Sequence, residues 1–460
     1  MAIFLLADCN GTMSSVARLP LVSGAAPAAV SSPSPIKHVV LMIQENRTFN
    51  DFFATFPGAD GTTIGKAEPN PNCSPPILNN ESIPLAKVPL TVPKDLYHEY
   101  VGYRTAYDHG NMDGFDNVGF GGKNGIPECT YPYQYTDPTQ IRPYWDLAKQ
   151  YTLAEHMFTT QGSGSFTAHQ DLIRGGTVVE PGRAMIDLPT CSGPNCRWGC
   201  DAPTKTLTHL ITQHNKYLTK FGPAPCSNQF TSSYPTLRDL LDAKSLSWKY
   251  YVPPSDKTIG KLMSAFDVIY PVRYGPEWTT NVITPQTRVF YDISHRRLPA
   301  VTWLVPDAYY SDHPGEPEDY GPQWIASVVN AIGESRYWKS TAIVIVWDDW
   351  GGLYDNLGGL SPRKYGYGGL GPRVPAIIVS PYAKARYISR TDYEFGSIIK
   401  YIEDNWNLGS LGTTDQRANS IIDCFDYSQK PIAFTPIQSS RDKWYFLHHQ
   451  PSYLAVDSDL

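Results

Sequence analysis

Two stretches of this chain constrain its fold more than any other feature. IKHVVLMIQ, from Ile36 to Gln44, and STAIVIVWDD, from Ser340 to Asp349, are nearly unbroken aliphatic and β-branched runs. Strands that are apolar on both sides must be covered on both faces. The first run leads into Glu45 and Asn46, and the second ends in Asp348 and Asp349. The helical-looking segment QWIASVVNAIGESRYWKS precedes the second run, and a third run, VPAIIVSPY, follows a glycine-rich loop from Gly351 to Gly371. Buried strands separated by amphipathic helices predict an α/β fold with a mainly parallel central sheet flanked by helices. In such sheets ligands bind beyond the carboxyl ends of the strands, where loops converge and helix N-termini point inward. Both acidic pairs fall at that edge.

The chain has 460 residues, enough for one elaborated domain or one with an insertion. Segments rich in Pro, Asn, Cys and Gly near 66–95 and 181–235 predict loop-rich, disulfide-stapled insertions in a main domain over 36–460. Residues 1–35 hold a short apolar run followed by small residues, as in a signal peptide without its basic start, and then a Pro, Ser and Ala linker. Cys9 in LLADC could carry a lipid, although Asp8 fits that cleavage box poorly. No later stretch approaches the roughly 18 apolar residues of a membrane helix. With a net charge of −6 and no stripe of Lys and Arg, nucleic acid is not an expected partner. Eight cysteines, mostly in loops, predict disulfides. Cys191, Cys196, Cys200 and Cys226 form a tight group that a zinc ion could also use, though without paired CxxC knuckles.

The acidic pairs carry the chemistry. Glu45 and Asn46 offer a carboxylate and an amide oxygen, hard ligands for Ca, Mg or Mn. Alone, an Asn after a strand reads first as the cap of the next helix, so the pair needs corroboration. Asp348 and Asp349 corroborate the metal, because adjacent carboxylates at the tip of an apolar strand repel one another until a cation intervenes. Ser165, in TTQGSGSFTAHQDLIRGG, sits where a Gly and Ser loop enters a helix begun near Phe166, so its hydroxyl is a candidate nucleophile or an ordinary N-cap. Ser163 is its rival. His313, in the polar loop PDAYYSDHPGEPEDYGP, could protonate a departing oxygen or hold a phosphoryl oxygen. His98 and His169 are weaker candidates, the second lying one turn beyond Ser165.

Read together, IKHVVLMIQENRTFNDFFATFPGADG, TAYDHGNMDGF, YTLAEHMFTTQGSGSFTAHQDLI, TLRDLLDAKSLSWKYY, LPAVTWLVPD with SDHPGE, and STAIVIVWDDWGGLYDN with GPRVPAIIVSPYA resemble the phosphoesterases that include bacterial phospholipase C and acid phosphatases, in the alkaline-phosphatase-like superfamily. The matching strings run in order from Ile36 to Ala383. The resemblance implies an alkaline-phosphatase-like fold and one divalent metal ion, with Ca, Mg or Mn favoured and Zn possible. Its ligands would be Glu45, Asn46, Ser165, Asp348 and Asp349, with Ser165 the nucleophile and His98 and His313 lining the phosphate pocket. It further implies a secreted or periplasmic hydrolase that passes through a phosphoserine. Its partner would be a small phosphate ester or a phospholipid head group, with transient membrane contact only in the second case. Where many members read DEHGG this chain has Asp349 and Trp350, and where many have Asp-His it has Asp355 and Asn356. The alternative is a non-catalytic surface-binding protein on the same scaffold. Sulfatase chemistry would need a CxPxR-type motif, which is absent from the sequence.

Overall fold

The computed structural model describes residues 34–79, 81–120, 128–190, 197–218, 222–254, 263–358, 365–449 and 452. The chain divides into two units, 1–34 and 35–460. The expected leader, Cys9, Cys191 and Cys196 lie outside the described residues.

The larger unit is built on an eight-stranded sheet. Its strands are β1 (His38–Gln44), β2 (Thr152–Ala154), β3 (Trp248–Tyr251), β4 (Val282–Ile283), β5 (Val301–Leu304), β6 (Thr341–Trp347), β7 (Ala376–Val379) and β8 (Tyr387–Ser389), in the order β4-β3-β5-β1-β6-β7-β2-β8. Every adjacent pair is parallel except the two that involve β7. The sheet is therefore mixed, with one reversed strand in an otherwise parallel set.

β1 and β6 lie at the centre, and all seven residues of β6 are buried. Burial on both faces is what their uniform aliphatic composition dictates, at roughly 1.5–3 kcal/mol for each large side chain removed from water. The covering helices include α1 (Phe49–Phe53), α2 (Tyr100–Tyr107), α3 (Arg142–Gln150), α4 (Ser165–Arg174), α5 (Gly321–Gly333) and α6 (Phe395–Trp406). α5 is the helix read from QWIASVVNAIG; Trp324, Ile325, Val328, Val329 and Ile332 are buried in the main core.

The segment near 66–95 contributes short strands, and Cys73 is bonded to Cys129. Residues 178–218 form a separate four-stranded antiparallel sheet. Cys200, between two of its strands, is bonded to Cys226, which removes two of the four thiols that a zinc site would need. Cys424 is a buried free thiol. Among the described residues no helix is long and apolar enough to cross a membrane.

Asp355 and Arg373 form a fully buried ion pair at 3.0 Å behind the strand ends. Asp355 also accepts from the Asn50 amide at 2.9 Å, while Asn356 accepts from Arg373 at 3.0 Å, so both residues hold the α1 corner. Asp355→Ala leaves the guanidinium buried without its partner and should lower stability by about 3–5 kcal/mol. Breaking the exposed Arg142–Asp146 pair should cost less than about 0.5 kcal/mol. Urea unfolding of the two variants checks the contrast.

Candidate active site

The ladder between β1 and β6 sets the geometry. Gln44 is paired with Trp347, and the Asp348 amide donates to Gln44 O at 2.9 Å. Glu45 and Asp348 therefore leave the sheet side by side although 303 residues separate them in sequence. Asn46 adopts a left-handed conformation, φ 55°, which Asn tolerates better than most residues. Its amide N–H donates to Asp348 Oδ1 at 3.1 Å. The cap of α1 is Thr48, which accepts from the Asp51 amide, so the Asn46 side chain is not spent as a cap. Gly351 completes the corner at φ +58°, where a Cβ would come within 2.4 Å of Asn46 O.

α4 begins one residue earlier than the sequence suggested. Gly164 is its N-cap, and Ser165 is its first residue and not the cap. The Ser165 hydroxyl donates to Asp349 Oδ2 at 3.1 Å and lies 3.4 Å from Asn46 Oδ1. Ser163 points elsewhere: its hydroxyl donates to Asp187 Oδ1 at 3.1 Å and accepts from the Asp187 amide at 2.8 Å and from Thr167 Oγ1 at 2.8 Å. The rival serine is thus committed to bracing the loop.

The two candidate histidines meet at Asn46. His98 Nε2 is 2.9 Å from one atom of the Asn46 amide, and His313 Nε2 is 3.1 Å from that same atom. Both rings donate Nδ1–H to a backbone carbonyl, His98 to Leu96 O at 2.6 Å and His313 to Pro314 O at 2.6 Å. Nε2 of each is thereby turned into the site. His98 Nε2 is also 3.8 Å from Asp349 Oδ2.

The structure brings together all seven residues singled out from sequence, Glu45, Asn46, His98, Ser165, His313, Asp348 and Asp349, and buries every one; His313, at 4%, is the most exposed. Sequence reasoning undervalued His169. Its Nε2 is 3.1 Å from Glu45 Oε1 and 3.5 Å from Asp348 Oδ2. The signal was present, because His169 lies four positions after Ser165 and so shares its helix face. Asp95, whose Oδ1 is 3.5 Å from His98 Nδ1, gave no such signal.

Ion-free, this cluster is electrostatically frustrated. Burial, reinforced by Asp348, pushes Glu45 up to about 8. Burial opposes charge on His169, but Glu45 and Asp348 outweigh it and hold the imidazolium up to about 10. Burial likewise works against the Asp348 anion, which His169 nonetheless holds below the usual carboxylate range. Asp348 Oδ2 faces His169 Nε2 at 3.5 Å, the long edge of hydrogen-bond distance.

The Asn46 amide provides the sharper test of a cation. One of its atoms lies 3.3 Å from Asp348 Oδ1, 3.2 Å from Glu45 Oε2 and 3.4 Å from Ser165 Oγ. Without an ion that atom should be the NH2, leaving the amide oxygen to accept from both histidines. Because both Nδ1 hydrogens are already committed, that arrangement needs two imidazolium rings side by side. With a cation among the oxygens, the amide oxygen faces the acids and the NH2 donates to two neutral rings, and every group is satisfied. The donor set fits a hard divalent cation, which Glu45, Asn46, Ser165, Asp348 and Asp349 would hold.

An α/β sheet with an oxygen-rich, fully buried cluster at its strand ends, and a hydroxyl opening a helix beside it, is a class of site suited to phosphoryl groups. The family model described as Phosphoesterase family matches residues 36–409, and the chain belongs to that family. It is 22% identical over 456 residues to phospholipase C A of Mycobacterium tuberculosis, covering 87% of this chain and 79% of that protein. It is 21% identical over 453 residues to a non-hemolytic phospholipase C of Pseudomonas aeruginosa, covering 86% of this chain but only 59% of that protein. A solved structure of an alkaline phosphatase superfamily protein from Vibrio parahaemolyticus aligns with 10% identity and a TM-score of 0.37 over 85% of this chain and 72% of that one, too remote a likeness to bear on function.

Both raised groups make the folded, ion-free protein bind more protons than the unfolded chain. Their contribution to stability is therefore complete at low pH and is lost as pH rises, through about 8 for Glu45 and about 10 for His169. Chemical denaturation of the metal-free protein from pH 5 to 8 should show that decline, and Glu45→Gln should flatten it. Calorimetry should also find metal binding tightening with pH in the wild type, because the ion must displace a proton.

Proposed function

We propose that this chain is a metal-dependent hydrolase of phosphoric esters, secreted or periplasmic, with Ser165 as its nucleophile. The convergence of oxygens from Glu45, Ser165 and Asp348 on the Asn46 amide, with Asp349 Oδ2 3.1 Å from the Ser165 hydroxyl, carries this reading. Family membership supports it, and two formed disulfides suit an oxidising compartment. When bound, the cation would lower the proton affinity of the Ser165 hydroxyl and offset charge on the phosphoryl oxygens.

The chain's own groups account for the remaining steps. Ser165 Oγ attacks phosphorus as its proton passes to Asp349 Oδ2, the acceptor 3.1 Å away. The P–O bond to the leaving group breaks in line, giving a phosphoserine that water then hydrolyses. The N-terminus of α4 adds its partial positive charge at the attacking oxygen. His98 Nε2 faces the transferring oxygens. His313, locked through Nδ1 to Pro314 O, first takes a proton from solvent at Nε2, giving up its acceptance from the Asn46 NH2, and then delivers that proton to the departing alkoxide. Phosphate monoesters and phospholipids need the same core, so comparing turnover of p-nitrophenyl phosphate with that of p-nitrophenyl phosphorylcholine separates the two substrate classes.

Ser165→Ala should abolish turnover of both compounds, whereas Ser163→Ala should keep turnover and lose about 1–3 kcal/mol of stability from broken buried hydrogen bonds. Retained activity in Ser165→Ala would overturn the assignment. Chelation should abolish activity, and Ca, Mg or Mn should restore it. His313→Asn should slow alkyl phosphate esters by about 10²–10⁴-fold. It should spare p-nitrophenyl esters, whose leaving group departs without a proton, and steady-state kinetics on the two ester types reads the difference.

A further inference from the structure

A buried carboxylate with no part in the chemistry described above stands next to His313. Asp312 is 2% exposed. An acid held that far from water is costly unless donors surround it. The Tyr144 hydroxyl donates to Asp312 Oδ2 at 2.7 Å, and Trp347 Nε1 donates to the same oxygen at 3.0 Å. Arg47 Nε donates to the Asp312 carbonyl at 2.7 Å. Oδ1 lies against Gly321, the first residue of α5, where a Cβ would come within 2.0 Å of it. The carboxylate therefore also meets the positive end of a 13-residue helix.

The donors come from one place. Trp347 directly precedes Asp348, and Arg47 directly follows Asn46. Gln44, directly before Glu45, donates from Nε2 to Tyr310 O at 3.0 Å. Three residues that flank the candidate ligands of the cation thus bind the segment 310–312. The Trp347 and Tyr144 rings are themselves fixed in the core, edge to face with centroids 4.9 Å apart.

His313, by contrast, is held by bonds internal to its own loop. Its amide donates to Ser311 Oγ at 3.3 Å, its Nδ1 to Pro314 O at 2.6 Å, and its carbonyl accepts from the Glu316 amide at 3.3 Å. Such bonds orient the ring within the loop and move with it. The stance of the loop relative to Ser165 and Asn46 is set from outside. On the far side the Gly315 amide donates to Val92 O at 2.8 Å, and on the near side three outside bonds arrive at Asp312, one peptide away from His313.

We propose, resting on the reading of His313 as the acid that protonates the leaving group, that Asp312 is a positioning residue for that proton transfer. Its carboxylate, tied to Tyr144 and Trp347, keeps His313 Nε2 in reach of the departing oxygen. A misplacement of about 1 Å at a reacting group can cost about 10²-fold, and here the loss should fall only on esters whose leaving group needs a proton. Asp312→Ala should lower kcat for alkyl phosphate esters by about 10–10²-fold with KM nearly unchanged. It should leave p-nitrophenyl phosphate turnover within about threefold of wild type. In a His313→Asn background the same substitution should cost alkyl ester turnover nothing further. Asp312→Asn, whose amide oxygen can accept from the same two donors, should keep alkyl ester turnover within about threefold of wild type. Tyr144→Phe keeps the ring and the carboxylate and removes one donor, so it should show the same selectivity at about threefold or more, and it decides the matter if Asp312→Ala does not fold. A general loosening of the fold would slow both ester types alike; that result, or an Asp312→Ala loss that adds to that of His313→Asn, overturns the assignment. If His313→Asn slows both ester types equally, the leaving-group role of His313 falls and takes that of Asp312 with it. If His313→Asn discriminates between them and neither Asp312→Ala nor Tyr144→Phe does, only the role of Asp312 falls.

Discussion

The parallel ladder between β1 and β6 is the constraint from which the rest of the site follows. Backbone hydrogen bonds fix Gln44 opposite Trp347, so the next residues of both strands must emerge together. Glu45 and Asp348 cannot separate without breaking a buried strand pairing. Their mutual repulsion is consequently a permanent feature of the folded chain, relieved by His169 in one state and, in the proposed enzyme, by a cation in the other. α4 closes the third side, and because Gly164 takes the cap position, the Ser165 hydroxyl is left for the acids.

Much of this was legible in the sequence because it rests on local pattern. The uniform runs at 36–44 and 340–347 announced doubly covered strands, and their polar ends announced the edge at which ligands gather. What escaped was set by tertiary context. Nothing local says that β7 runs against its neighbours, since VPAIIVSPY reads the same in either direction. The helix start at Ser165 in place of Phe166 is a one-residue matter of dihedral angles, yet it decides whether the hydroxyl is a cap or is free. Ser163 and Ser165 share composition and neighbourhood, and only Asp187, donated by a strand end 24 residues downstream, separates them. His169 was underrated because a histidine on a helix becomes informative only when its facing acids are known.

Asn46 connects the two halves of the site. One end of its amide addresses the carboxylates and the hydroxyl, and the other addresses both imidazoles. The backbone carbonyls of Leu96 and Pro314 hold those rings in a fixed tautomer, so the state of the acidic half is transmitted to the histidine half through one planar group. An aspartate at that position would keep a charge for the ion and lose the donor for the rings.

The distance in sequence between the two strand tips has a consequence for biosynthesis. The acids that meet at Asn46 are supplied near residue 45 and near residue 348, so the pocket cannot exist on a ribosome-bound chain until three quarters of it has been made. In the proposed enzyme an ion held there would be drawn from the compartment in which the chain completes its fold, since the ligands proposed for it are not assembled on the emerging chain.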